Sequence, residues 1–290
     1  MPIGATTTNE LPSGAQPTRL VAGVSLKMYL GAKATRAWLV SVAGLAPLPS
    51  GVELFVLPAF PYLSDAQEAL AGTGIAHGAQ DVWYEASGPF TGEISPPMLS
   101  ELGCTYVVVG HLERRDLFGE DDDTVARKAR AAMKYGLVPV VCVGEPAVMP
   151  IRQARQFVIK QLVSSLKGVP DAPIIVAYEP SFAIGADQPA PADHVVRVTT
   201  AIREALSSRT AEIGVLYGGT AGPGTLRALQ EQCTALPVDG LFLGRRAHDV
   251  AQLAQVLSEM AAVIRRQTDR ALPDSRAGQL GRAERRSARG

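Results

Sequence analysis

Cysteine is scarce in this chain, and its spacing gives no support for a fold built on disulfides. The three cysteines, Cys104, Cys142 and Cys233, lie far apart, have no paired spacing, and form no metal-type cluster with the four histidines. Scattered thiols of this kind are typical of reduced proteins of the cytosol. We therefore expect a cytoplasmic protein without a metal centre.

An excess of charge is also missing, since 28 Lys and Arg residues balance 28 Asp and Glu residues. Without net positive charge there is no global electrostatic basis for binding nucleic acid or an anionic membrane. No window approaches the roughly 18 apolar residues of a membrane span. The first 18 residues lack the basic start and hydrophobic stretch of a signal peptide. We expect neither nucleic acid nor a membrane as a partner.

What the chain does have is enough apolar sequence for a sizeable core, with 47% hydrophobic and 19% charged residues. We predict one ordered domain over residues 19–266, preceded by a disordered extension over residues 1–18. From residue 267 the sequence becomes rich in Arg, Ala and Gly, which predicts a disordered, solvated tail over residues 267–290. A weak anion-binding arm is the alternative for this tail.

Short apolar runs alternate with longer amphipathic ones through the predicted domain. The runs are rich in Val, Ile and Leu without polar alternation, as expected for strands covered on both faces. We predict strands at 20–24, 54–57, 75–80, 106–110, 139–144, 174–178, 214–217 and 241–244. We predict helices at 33–45, 125–135, 152–166, 194–207 and 250–265. Eight such units predict an α/β fold of the (β/α)₈ barrel type; a doubly wound open sheet is the alternative.

The run from Ala177 to Gly185 places a carboxylate, Glu179, directly after a predicted strand. Pro180 fixes one φ angle and Gly185 gives backbone freedom at the far end of the segment. This layout indicates a catalytic base attached to a closing lid. An ordinary loop that begins with Glu is the alternative.

Two further ionisable residues stand at predicted strand ends, Lys27 after the first strand and His111 after the fourth. Each of the three ionisable residues has a structural alternative. Lys27 could be a solvated lysine, His111 a structural histidine, and Glu179 a carboxylate paired with an arginine. Because active sites in barrels form from the loops after the strands, a barrel would gather Lys27, His111 and Glu179 around one mouth.

Glycines after the seventh and eighth predicted strands indicate an anion site. Gly218, Gly219 and Thr220 follow the seventh strand, while Gly244 and Arg245 follow the eighth. The loops after these two strands commonly hold phosphate in such barrels, where glycine permits close approach of the backbone N–H groups. Ordinary tight turns are the alternative.

The sequence strongly resembles the triosephosphate isomerase family, in order, from residue 20 to residue 265. The resemblance is carried by Gly23 with Lys27-Met28, Ala79-Gln80-Asp81, residues 88–95 (Gly-Pro-Phe-Thr-Gly-Glu-Ile-Ser), residues 110–115 (Gly-His-Leu-Glu-Arg-Arg), Phe118-Gly119-Glu120, Cys142-Val143-Gly144-Glu145, residues 177–185, Tyr217-Gly218-Gly219 and Asp239-Gly240. It implies a TIM barrel and an isomerase acting on a phosphorylated three- or four-carbon sugar, with no metal and no organic cofactor.

The resemblance also implies roles for individual residues. Glu179 would move the proton through an enediol, and His111 would polarise the substrate carbonyl as a neutral imidazole. Lys27, partnered by Glu113, would stabilise the enediolate and phosphate charge. The lid, residues 180–186, would exclude water and protect the intermediate from elimination. Substrate and phosphate contacts would come from Ser25, Lys27, Gly185, Gly218, Gly219, Thr220, Gly244 and Arg245.

Residues 80–93 resemble the family's long third loop, which inserts into a partner subunit. The resemblance implies a homodimer in which Thr91 lies beside the partner's Lys27. A plain surface loop is the alternative.

The chain departs from the family pattern at substrate-shaping positions. Where the family has Asn before the lysine, Trp in the lid and a second Gly after the eighth strand, this chain has Ser25, Phe182 and Arg245. Further departures are Leu26, Tyr29, Leu112, Thr220 and Ala186-Asp187-Gln188.

Ser25 before Lys27-Met28, with Gly240-Leu241-Phe242-x-Gly244-Arg245, resembles the branch of the family that isomerises tetrulose phosphates in tetritol catabolism. That branch interconverts L-erythrulose 1-phosphate and D-erythrulose 4-phosphate, and we favour this reaction. The alternatives are triosephosphate isomerase proper, acting in glycolysis and gluconeogenesis, and a non-catalytic barrel that binds a phosphorylated metabolite.

Overall fold

Eight apolar segments pair in sequence order as parallel strands, and the last pairs with the first, so that the sheet closes into a barrel. The computed structural model describes residues 19–233 and 235–271. The strands are β1 (Leu20–Ser25), β2 (Val52–Leu57), β3 (Ala76–Ala79), β4 (Tyr106–Val109), β5 (Val138–Val143), β6 (Ile174–Tyr178), β7 (Ile213–Gly218) and β8 (Gly240–Leu243). The predicted (β/α)₈ barrel is confirmed, and the doubly wound alternative is wrong.

Helices follow the strands and surround the barrel. In the described residues they are α1 (Ala32–Ala43), α2 (Leu63–Ala69), α3 (Pro96–Glu101), α4 (Leu112–Phe118), α5 (Asp122–Lys134), α6 (Ile151–Ser165), α7 (Ala192–Leu206), α8 (Thr225–Gln230) and α9 (Val250–Ala271). The five predicted helices are present, but α2, α3, α4 and α8 were not predicted. These four have six or seven residues each, which is too short for a 3.6-residue repeat to stand out in the sequence.

The predicted boundaries at the two chain ends stay predictions. Helix α9 continues to Ala271, past the boundary that we set at residue 266. The predicted extension over residues 1–18 lies outside the described residues, as does the part of the Arg-rich tail from residue 272 onward. Within the described part of the chain, no helix has the length and apolarity to cross a bilayer.

Each strand contributes to two hydrophobic layers because successive side chains point to opposite faces. In β1, Leu20, Ala22 and Val24 pack outward against the helices, while Val21 packs inward. Gly23 also faces the interior, where an added Cβ would lie 2.3 Å from the ring of Phe55. The barrel interior is thus filled by side chains, and the open space lies at its mouth.

A buried charge cluster anchors the loop after β3 to helices α4 and α5. The fully buried Lys128 ammonium lies 2.7 Å from Asp81 and 2.5 Å from Glu120. Arg114 lies 2.7 Å from Glu120 and 3.1 Å from Asp81, which completes the pairing. Burial raises the pKa of Asp81, an effect that the charge of Lys128 opposes. The base of the 80–93 loop is therefore fixed to the barrel by paired charges.

Candidate active site

The three ionisable residues at strand ends come together at one mouth of the barrel. Lys27 and Glu179 line a cavity of about 580 Å³ there. His111 lies at its edge, with Nε2 3.7 Å from Oε2 of Glu179. Seven of the other predicted site residues line the same cavity, namely Ser25, Glu113, Gly185, Gly219, Thr220, Gly244 and Arg245. Gly218 instead lies against Glu179.

Glu179 is held through its backbone, and its carboxylate is left partly unpaired. Its N–H donates to the carbonyl oxygen of Val143 at 2.8 Å. Two glycines make room for it: an added Cβ on Gly218 would lie 2.8 Å from Cγ of Glu179, and one on Gly144 would lie 2.0 Å from its carbonyl oxygen. Only 8% of the residue is exposed, and Oε2 has no hydrogen-bond partner among the described residues. An unpaired buried carboxylate oxygen is available to accept a proton.

The Cys142 thiol lies beneath Glu179, a position that the sequence did not reveal. Complete burial and the nearby Glu179 carboxylate raise the pKa of this thiol. The thiol therefore stays protonated at neutral pH and adds no charge below the Glu179 carboxylate. Cys142 lies inside β5, after three buried residues of that strand. Its position in this apolar run was the only sequence signal that its thiol is buried near the strand end.

His111 caps the N-terminus of α4 and shows which ring nitrogen carries the proton. Its Nδ1 accepts a hydrogen bond from the backbone N–H of Glu113 at 3.2 Å. Because Nδ1 is an acceptor, the ring is a neutral imidazole with its proton on Nε2, the nitrogen nearest Glu179. The turn before it is fixed by Gly110, whose φ is 70° and whose carbonyl accepts from Arg115 at 2.7 Å.

Lys27 occupies backbone geometry that is rare for a residue with a side chain. Its φ is 48°, in the left-handed region, which costs about 1–3 kcal/mol unless the surroundings hold it. The Gln80 amide does so, donating to the carbonyl oxygens of Lys27 at 3.0 Å and Leu57 at 2.9 Å. Gln80 immediately follows β3, and a polar residue at a strand end was the signal that could have identified it.

The ammonium of Lys27 pairs with Glu113 across the mouth, at 2.7 Å from Oε1. Partial burial raises the pKa of Glu113, but the hydrogen bond from the Lys27 ammonium and its positive charge outweigh that effect, so the net pKa lies below its usual value. The Glu113 carboxylate therefore remains ionised at neutral pH. The predicted pairing of these two residues matches this geometry.

The lid, residues 180–186, is tied to the loops after β7 and β8 by side chains that contact its carbonyl oxygens. The Thr220 hydroxyl lies 2.7 Å from the Ala183 oxygen and 3.0 Å from the Ala186 oxygen. Arg245 Nη2 donates to the Gly185 oxygen at 2.9 Å. Both Thr220 and Arg245, which we predicted to contact phosphate, thus also contact the lid.

The start of the lid rests on a buried polar group that the sequence did not predict. The fully buried Glu145 carboxylate accepts from the Tyr178 hydroxyl at 3.0 Å and lies 2.6 Å from His194 Nε2. The edge-to-face contact of Phe182 with the His194 ring, at 6.0 Å, places the lid on this group. Burial and the Glu145 charge raise the pKa of the Tyr178 hydroxyl, which stays protonated.

The residues described show no cluster of three or more His, Cys, Asp or Glu side chains arranged to hold a metal ion. The polar groups at the mouth include Lys27, the neutral His111 and the carboxylates of Glu113, Glu179 and Asp187, together with glycines and arginines at its β7 and β8 side. Such a set can move a proton beside a carbonyl and bind an anion.

The comparisons with known proteins agree with this geometry. A family model described as triosephosphate isomerase matches residues 20–260. The chain is 42% identical to L-erythrulose-1-phosphate isomerase of Pectobacterium atrosepticum, over 83% of this chain and 95% of that protein. It is 43% identical to triosephosphate isomerase of Thermus thermophilus, over 70% and 84% of the two chains. The L-erythrulose-1-phosphate isomerase of Rhizobium etli is 37% identical, over 76% and 84%. The chain therefore belongs to the triosephosphate isomerase family and is a sugar-phosphate isomerase.

Proposed function

We propose that this isomerase interconverts L-erythrulose 1-phosphate and D-erythrulose 4-phosphate through an enediolate. The observation that carries the acid–base part is the pair of buried atoms Glu179 Oε2 and His111 Nε2, which lie 3.7 Å apart at the mouth and have no hydrogen-bond partner among the described residues. At this separation the carboxylate can remove a proton from a carbon atom while the N–H group donates a hydrogen bond to the oxygen of the neighbouring carbonyl.

Glu179 removes the proton from C3 of L-erythrulose 1-phosphate, while His111 Nε2–H donates to the C2 carbonyl oxygen. Lys27, paired with Glu113 at 2.7 Å, stabilises the negative charge that develops on the enediolate oxygen. A proton moves between the two oxygens, and Glu179 returns its proton to C2. The carbonyl then lies on C3, and no electrons are gained or lost overall.

The four-carbon preference rests on the space near Ser25. A tetrulose phosphate extends one hydroxymethyl group beyond the enediol, farther from the phosphate than a triose reaches. Ser25 ends β1, lines the cavity, and is mostly buried, with its hydroxyl 3.4 Å from the Lys27 backbone nitrogen. Serine leaves room that the family's asparagine would fill. Two relatives named L-erythrulose-1-phosphate isomerase support the same choice.

The phosphate is proposed to bind on the β7 and β8 side of the mouth. Gly219 and Gly244 line the cavity there, and neither backbone is covered by a Cβ. Gly185 and Thr220 border the same space from the lid and the β7 loop. Gly218 has a second role in this arrangement, since its missing Cβ is what admits the Glu179 side chain.

The test is a comparison of kcat/KM on L-erythrulose 1-phosphate and on dihydroxyacetone phosphate, for the wild type and for Ser25→Asn. We expect the wild type to favour the tetrulose by about 10- to 200-fold, the range that a small group in a pocket supplies. Ser25→Asn should reduce that ratio chiefly through the tetrulose. A wild type that turns over the triose faster would replace this proposal with triosephosphate isomerase, the activity named for the Thermus thermophilus relative.

We further propose a homodimer formed through residues 80–93. The loop is anchored by the Lys128 cluster and stiffened by Arg127, whose guanidinium lies 3.6 Å from the Tyr84 ring centre. Met28, next to the catalytic lysine, is 95% exposed, an unusual position for a large apolar side chain. Light scattering should give about twice 30.6 kDa, and Thr91→Arg should shift the mass toward that of one chain.

A further inference from the structure

Two consecutive arginines after β8 reach across the cavity to the lid. Arg245 Nη2 donates to the Gly185 oxygen at 2.9 Å, and Arg246 Nη2 donates to the Asp187 oxygen at 3.3 Å. Both side chains line the cavity. Within the described residues, neither guanidinium lies within 4.0 Å of a carboxylate oxygen, in contrast to Arg203 beside Asp239. Two cations without a paired anion therefore face the space where a substrate anion would enter.

The guanidinium groups have hydrogen-bonding capacity to spare. An arginine carries five N–H donors in a planar fork. Arg245 gives one bond to the lid carbonyl of Gly185, and Arg246 gives one to the carbonyl of Asp187, just after the lid. The remaining donors of Arg245 suit a phosphate, which accepts bidentate bonds from such a fork. One side chain is thus in a position to contact the lid and an anion together.

Arg246 has a different setting, because it packs on the loop after β7. A Cβ added to Gly222 would lie 2.7 Å from Cδ of Arg246 and 3.4 Å from Nη1. The missing side chain at Gly222 leaves a channel through which Arg246 reaches the Asp187 oxygen. Its position is therefore set by two loops of the barrel, and it contacts the chain one residue beyond the lid.

We propose that Arg245 and Arg246 latch the lid, and that Arg245 also hydrogen-bonds the substrate phosphate, so that lid closure and phosphate binding are coupled through one side chain. Arg246 is a positioning residue that acts through the backbone after the lid. The proposal rests on the proposed function, because it assigns the phosphate of that substrate to this side of the mouth.

The latch has a chemical consequence beyond affinity. If the lid opens while the enediolate is present, the C–O bond to phosphate can break. The C3 oxyanion then becomes a carbonyl, the C2–C3 double bond moves to C1–C2, and the electron pair of the C1–O bond leaves with the phosphate. A lid that stays closed suppresses this loss by holding the intermediate and excluding water. Inorganic phosphate released per isomerisation turnover therefore reports on lid closure.

The experiment compares the wild type with Arg245→Gln, Arg246→Gln and the matched control Arg227→Gln, whose side chain is 81% exposed on α8. Each is assayed for kcat, KM, inhibition by inorganic phosphate, and phosphate released per turnover. We expect Arg245→Gln to weaken phosphate inhibition and raise KM by about 10- to 100-fold, the loss of one or two charge-assisted bonds. Arg246→Gln should raise phosphate release several-fold, with a smaller change in phosphate inhibition.

Two results would overturn the latch. One is phosphate inhibition of Arg245→Gln within twofold of wild type, and the other is unchanged phosphate release in both variants. Arg227→Gln should match the wild type throughout. A wild type that isomerises neither sugar phosphate would instead refute the proposed function. In that case calorimetric binding of inorganic phosphate to the same variants still tests Arg245.

Discussion

The two sides of the barrel mouth are built differently. On the side of β1, β4 and β6, the ionisable residues Lys27, His111 and Glu179 are fixed by backbone geometry, and Gly218 at the end of the neighbouring strand β7 makes room for Glu179. On the side of β7 and β8, side chains such as Thr220 contact the carbonyl oxygens of the lid. The first side keeps the three ionisable residues of the family pattern, although Ser25, Leu26, Tyr29 and Leu112 depart from that pattern beside them. Thr220 and Arg245 depart from it on the second side, as do Phe182 and residues 186–188 in and after the lid. A rigid set of ionisable groups thus faces a lid that differs from the usual family pattern.

The largest expected effect comes from removing the proposed base. Glu179→Gln keeps the shape and the burial of the side chain but has no basic oxygen, so kcat should fall about 1000-fold. The melting temperature should remain within a few degrees of wild type, which steady-state kinetics and calorimetry together would check. A variant that retains wild-type kcat would show that the rigid side of the mouth does not hold the base.

Gly218→Ala tests whether the position of the base matters as much as its chemistry. The new methyl group would lie 2.8 Å from Cγ and 2.9 Å from Oε1 of Glu179, so the carboxylate must shift. A displacement of this size should lower kcat by about 10- to 100-fold with little change in stability. Gly31→Ala is the matched control, because an added Cβ there meets nothing within 4 Å. Equal kinetics in the two variants would contradict the idea of a fixed carboxylate.

Thr220 allows the same comparison on the closing side. Thr220→Val keeps the branched shape at a φ of 53° but removes the hydroxyl that contacts the Ala183 and Ala186 oxygens. We expect kcat/KM to fall about 3- to 10-fold, the usual worth of one neutral hydrogen bond. Thr220→Ser restores the hydroxyl and should recover most of the loss. If both variants behave alike, the bond to the lid has no role in closure.

The smallest effect is expected from the Lys27–Glu113 pair, measured as stability against pH. The folded pKa of Glu113 lies below its ordinary value of 4.5, so the pair stabilises the fold above that pH. This stabilisation is lost as the pH falls through the folded pKa, because the carboxyl becomes protonated. The difference in melting temperature between wild type and Glu113→Gln should therefore shrink from pH 6 to pH 3. A difference that stays constant would show that the pair adds nothing to stability.

The barrel, and the position of its ionisable residues at the mouth, could be predicted because the sequence signals for them are local. A buried strand followed by one charged residue, as at Glu179, is visible in a few letters of sequence, and the closed strand order turns such positions into neighbours. The lid contacts could not be predicted in this way. Arg245 and Gly185 are 60 residues apart, and His194 and Glu145 are 49 apart. Only the packing of the loops shows which carbonyl or carboxylate each side chain meets.

The Gln80 amide bonds to the Lys27 and Leu57 carbonyl oxygens, which joins the ends of three adjacent strands. That wall of the cavity has little freedom to widen, so on the proposed function substrate and product would pass on the opposite side of the mouth. There, the contacts to the lid carbonyls would have to break before a substrate enters or a product leaves. We therefore expect the slowest step for a good substrate to be departure of the product, at a rate that depends on solvent viscosity.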